Sequence, residues 1–108
     1  MSSAIRESDW KLFRELHPLL LNRFCERVLT RVAELAGDDT RTPHQRYLEL
    51  YELMRKSDRA LAGAFDDQRR STALLQLRIM HAHDLLTEAE LARFSSEAKD
   101  TITWRPDI

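Results

Sequence analysis

Two glycines, three prolines and one cysteine are all that this chain of 108 residues carries of the residues that most constrain a backbone. With no Asn-Gly or Asp-Gly pair, the signal for two-residue β-hairpins is missing. The lone Cys25 excludes an intramolecular disulfide and does not by itself indicate an oxidising compartment. An excess of either charge is also missing. The 17 Lys and Arg stand against 18 Asp and Glu, a formal net charge of −1, so no global field steers the chain to nucleic acid or an anionic membrane. No apolar run approaches the roughly 20 residues that span a bilayer, since Leu19-Leu20-Leu21 is followed at once by Asn22 and Arg23. The start MSSAIRESDW lacks the apolar stretch of about 7–15 residues that a secretory signal needs. The expectation is a cytoplasmic protein with no membrane partner and no cofactor.

What is present favours helix. Abundant Leu, Ala, Glu and Arg are good helix formers, and 43% hydrophobic with 32% charged content is the balance of a globular chain. The length fits one domain. The expected fold is therefore all-α, a compact bundle of about four to six helices in a single domain, with residues 1–8 and 105–108 as flexible termini.

Ser8 reads as an N-cap for a short helix from Asp9 to Leu16. Pro18 reads as the first residue of a second helix ending at Ala36, with Gly37 as its stop. In that helix Leu21, Phe24, Cys25, Val28, Val32 and Leu35 recur at steps of three and four, an apolar stripe. Thr42-Pro43 opens a third helix carrying Tyr47, Leu50, Tyr51, Leu53, Met54 and Leu61, whose pattern frays near Ala62-Gly63, where a break or kink is expected. Asp66 or Asp67 is expected to cap a fourth helix running to about His83. Thr87 with Glu90 has capping-box spacing for a short fifth helix anchored by Leu91 and Phe94, and Ser95 or Ser96 begins a last one.

Three stretches carry a family likeness: Ser8-Asp9-Trp10-Lys11-Leu12-Phe13-Arg14-Glu15, Gln45-Arg46-Tyr47-Leu48-Glu49-Leu50, and the run from Leu91 to Ile102. In them the chain resembles a family of small, all-helical, uncharacterised bacterial proteins, some labelled "multidrug transporter". The resemblance covers most of the chain and implies a single helical domain. It supplies no catalytic or ligand residues. The transporter label conflicts with the absence of a spanning segment. Relatives tend to place Pro-Gly and a β-branched run near Ala60 to Asp67, where this chain is Ala-rich, so the join of the third and fourth helices departs from the pattern.

No constellation has the spacing of a nucleophile, nucleotide or metal site. His81 and His83 lie two apart and point to different sides of a helix, so His81 is expected to be a partly buried, hydrogen-bonded or capping residue. Cys25, between Leu21 and Val28, is expected to be a small core residue. Asp38-Asp39 and Asp66-Asp67 read as exposed helix-terminating pairs with ordinary pKa values. The aromatics, Tyr47 and Tyr51 included, read mostly as core. The chain is not expected to be an enzyme; the least remote catalytic grouping is His81 with Asp84 and Tyr51.

Two binding readings remain. The first is a protein–protein interaction module, or a homodimer formed through the second or third helix, using Leu20, Leu29 and Trp104. Its basis is an apolar face on the second helix wider than one stripe. The alternative is a nucleic-acid or phosphate-binding accessory protein. Arg23, Arg27 and Arg31 form an i, i+4, i+8 ladder there, with Arg69 and Arg70 further on. Glu26 and Glu34 flank the ladder and no aromatics interleave it, which favours a solvated charged face.

Overall fold

The computed structural model describes residues 5–106. Among them are five helices and no strand: α1 (Glu7–Ala36), α2 (Pro43–Phe65), α3 (Arg70–Ala82), α4 (Glu88–Ala92) and α5 (Ser96–Thr103). The all-α single domain read from the sequence is therefore what the chain forms.

The first two expected helices are one. α1 runs 30 residues, about 45 Å at 1.5 Å per residue, straight through Pro18. A proline inside a helix removes one backbone bond, here to the Arg14 carbonyl. Both residues are exposed, on the side of α1 open to solvent, and the helix continues. Ser8 lies inside the first turn, and Arg6 occupies the N-cap with no side-chain capping hydrogen bond. Of the termini expected to be flexible, residues 5–8 and 105–106 are described. Ile5 packs against the core, Arg6 pairs with Glu97, and Arg105 bonds to His81. The rest of that expectation, residues 1–4 and 107–108, lies outside the described residues.

α2 starts as read, with Thr42 and Gln45 completing a reciprocal capping box and Pro43 in the first turn. It does not fray at Gly63 but continues to Phe65. Asp66 ends it, and Asp67 takes a left-handed conformation (φ 59°), a backbone region that Asp tolerates better than most residues. Neither aspartate caps α3, whose N-cap is Arg69. α3 closes in a Schellman arrangement. Asp84 is left-handed (φ 63°), the Leu85 amide donates to the Met80 carbonyl, and the Asp84 amide donates to that of His81. Thr87 with Glu90 caps α4, and Ser95 caps α5, as their spacing predicts.

These helices build two unequal regions. In the head, Leu12, Phe13, Leu16 and Leu20 of α1 meet Ala73, Leu77 and Met80 of α3 and Ala98 and Ile102 of α5. Ala64 and Phe65 from the end of α2, with Leu85, Leu86 and Phe94, close this core. Asp9 is buried and accepts from both the amide and the hydroxyl of Ser95, fixing the start of α1 to the cap of α5. The arm is the second half of α1 and the first two-thirds of α2, an antiparallel pair joined by residues 37–42. It draws the molecule out to 54 × 30 × 24 Å, with a radius of gyration of 16.7 Å against about 13 Å for a spherical domain of this length.

Candidate functional site

Only Leu35 is buried in the arm. No other side chain between Leu20 and Ala64 is. A helix pair has one mutual contact line, and what lies to either side of it stays open unless something else covers it. Two antiparallel anchors set the register of the pair. Arg46 donates to the Ala36 carbonyl at the tip, and the His17 ring meets the Phe65 carbonyl at 3.1 Å near the head. In this register Leu29 of α1 is level with Leu53 of α2.

One side of the arm is an apolar groove of about 610 Å³. Phe24, Cys25, Val28 and Leu29 form its α1 wall; Tyr51, Met54 and Leu61 line α2, with Arg55, Ser57 and Asp58 at the polar edge. Tyr47, on the same row of α2 as Tyr51 and Met54, continues it toward the tip. Tyr47 and Tyr51 are 68% and 64% exposed, Leu29 62% and Met54 48%, so this is surface rather than core. The expectation that both tyrosines and Cys25 are core residues is corrected accordingly. Cys25 is a half-buried thiol in the groove wall. A signal for this was available in the spacing. Tyr47, Tyr51, Met54 and Asp58 form a row at steps of four, three and four, displaced by one position from the inward row of Arg46, Leu50, Leu53, Ser57 and Leu61.

The other side of the arm is built differently. The guanidinium of Arg23 donates to the Leu85 carbonyl and makes a two-pronged pair with Glu90, at 2.8 and 2.9 Å. Arg27 donates to the carbonyls of His83 and Asp84. Two rungs of the arginine ladder thus bond to carbonyls of the turn that follows α3, close to the end of that helix where positive charge is favoured. Arg31 points to Glu34 at 3.5 Å. The bidentate bond to Arg23, reinforced by the Thr87 amide, holds the Glu90 carboxyl down to about 2 against the opposing effect of burial, and the same bond raises Arg23. Arg69 pairs with Asp67; Arg70 pairs with Glu7 and lies over the Trp10 ring. Each candidate phosphate ligand therefore has an acceptor in its own chain.

The remaining candidates are scattered. Leu20 is fully buried in the head and so presents nothing to a partner; α3 covers the face of α1 on which it lies. Trp104 is 54% exposed, beneath the Arg78 guanidinium at 5.0 Å. His81 is partly buried and bonded to Arg105, and His83 caps α3. The groove that Tyr51 lines is bordered by neither His81 nor Asp84, so that grouping is not assembled. Among the described residues, no three His, Cys, Asp or Glu converge as a metal site would require. Asp38 departs from ordinary titration: hydrogen bonds from the hydroxyl and amide of Thr40 lower it. No described helix is long and apolar enough to cross a membrane.

Fold and surface together define an all-α domain with a packed head and an apolar-sided helical arm. No family model, curated protein or solved structure matches this chain.

Proposed function

We propose that this chain is a non-catalytic, cytoplasmic protein–protein interaction module that binds a helical surface along the open side of its arm. The observation that supports this reading is the exposure of Leu29, Tyr47, Tyr51 and Met54 on one continuous side of two packed helices. The largest contiguous apolar patch of a domain is often its binding surface, and tyrosines that present a ring with a polar tip are frequent interface anchors. The head acts as a rigid base. The resemblance to the small helical bacterial family belongs to the same proposal, as does the absence of a membrane partner.

A photo-crosslinking residue placed at Tyr51, compared with one at Arg31 on the opposite side of the arm, tests this in the native host. The expected result is a discrete protein adduct from position 51, resistant to nuclease, and none from position 31. The absence of any protein adduct at 51 overturns the reading. Adducts at 31 that vanish with nuclease would put the arginine side, and nucleic acid, in its place.

A further inference from the structure

We infer that the occupant of the arm's apolar side is a second copy of this chain, docked antiparallel so that the two arms make one four-helix bundle. The inference rests on the interaction-module reading and names its partner.

Three observations carry it. First, the arm lacks a core of its own, with only Leu35 buried, and a second arm supplies to each what it lacks. Pairs of helical hairpins commonly solve this problem by stacking into a bundle. Second, the surface matches what a dimer needs. Tyr47 and Tyr51 each expose about two-thirds of a side chain worth roughly 150–250 Å². With Leu29 and Met54, the apolar side offers on the order of 400–500 Å² per copy. Doubled, this is roughly 800–1,000 Å², and the polar rim of Arg55, Ser57 and Asp58 widens it toward the roughly 1,200 Å² at which stable interfaces begin. A single foreign helix lying in the groove would leave part of that surface wet.

Third, the apolar row is self-complementary. Leu29 is level with Leu53, which lies between Tyr51 and Met54 along the arm. A two-fold axis across the arm at that level lays α1 on α1 and α2 on α2, each antiparallel, in the isologous manner of closed dimers. Leu29 then packs beside the second copy's Leu29, and Tyr51 beside the second copy's Met54. Asp58, which has no ion pair among the described residues, comes level with the second copy's Tyr47 hydroxyl. The small formal net charge of −1 offers no long-range repulsion between copies.

The test is mass in solution across a concentration series, from sub-micromolar to near-millimolar, for the full chain. The expected result is a shift from one chain to two. Leu29→Glu, exposed in the single chain and so compatible with its fold, is expected to weaken self-association about a hundredfold with helicity unchanged. In a Cys25→Ser background, Leu29→Cys treated with oxidised glutathione is expected to give a disulfide-linked dimer, and Lys56→Cys on the other side of the arm is not. Mass that stays at one chain throughout overturns the inference. So does a dimer that Leu29→Glu leaves intact, or one that cross-links through residue 56 but not 29. A single chain that still gives a foreign adduct from Tyr51 removes self-docking and leaves the module reading standing; a single chain with no adduct removes both.

Discussion

The head and the arm share the helix α1, yet leucines of that one helix meet opposite fates. Leu20 is wholly enclosed, and Leu29, nine residues on and half a turn round, is 62% exposed. Residue type and helical propensity are the same at both positions. The difference is in the neighbours: Leu20 joins the core that α3 and the end of α2 build against α1, and Leu29 lies on the opposite face, which stays open. Burial along a long helix is decided face by face by what packs beside it. The head holds its elements with buried contacts and a buried carboxylate tie, Asp9 to Ser95, whereas the arm holds together along one line. Foldedness of the head is therefore expected to be intrinsic, and that of the arm to depend on what covers it.

The widest expected gap between the two regions comes from truncating one side chain in each. Phe13→Ala empties a fully buried ring site in the head and is expected to cost about 3–5 kcal/mol, a large share of the stability of a domain this size. Leu29→Ala, measured at concentrations low enough for single chains, is expected to change stability by no more than about 0.5 kcal/mol. Urea unfolding of both variants checks this, and comparable losses would erase the distinction between core and surface.

A middle-sized effect resides at the joint between the regions. Glu90 sits in α4 of the head, its side chain 13% exposed, and Arg23 reaches it from the base of the arm. A carboxyl held at about 2, against about 4.3 in an unfolded chain, stabilises the fold fully above the unfolded value. That contribution, on the order of 3 kcal/mol, fades as pH falls from about 4.3 toward 2. The urea midpoint is expected to drop across that window. Glu90→Gln keeps the capping geometry with Thr87 and is expected to be less stable at neutral pH, with a flatter acid limb. An acid limb identical to that of the unaltered chain would show that the joint does not depend on this pair.

Local chemistry was legible in the sequence, and neighbours were not. The capping boxes at Thr42 and Thr87, the cap at Ser95 and the stop at Gly37 depend on residues a few positions apart, and the chain carries them out where its spacing says. Pro18 reads as a helix start because its ring suits a first turn; that it and Arg14 lie on the exposed side of a continuous helix is a tertiary fact. The arginine ladder appeared as a free cationic row because its acceptors, the carbonyls of His83, Asp84 and Leu85, lie more than fifty residues away. Leu20 and Leu29 both lie outside the narrow stripe, on opposite faces of the helix, and the sequence does not say which face other helices cover. The tyrosines read as core for a related reason, since an apolar row in a sequence says nothing about how many helices arrive to cover it.

The smallest effect concerns Gly63, where sequence suggested a break and the structure has uninterrupted helix. It lies where α2 passes from arm to head, on the outward side, and a methyl group there would meet no heavy atom within 4 Å. Its φ is not in the left-handed region, so no conformational freedom particular to glycine is in use. Gly63→Ala is therefore expected to stabilise the chain by about 0.5–1 kcal/mol, by restricting the unfolded ensemble and favouring helix, and to raise the melting temperature by a few degrees. The position is remote from the apolar side, so self-association is expected to be unchanged. If Gly63→Ala instead lowers stability or alters self-association, then α2 bends at this residue in solution, and the arm moves on the head as on a hinge rather than extending from it as one continuous helix.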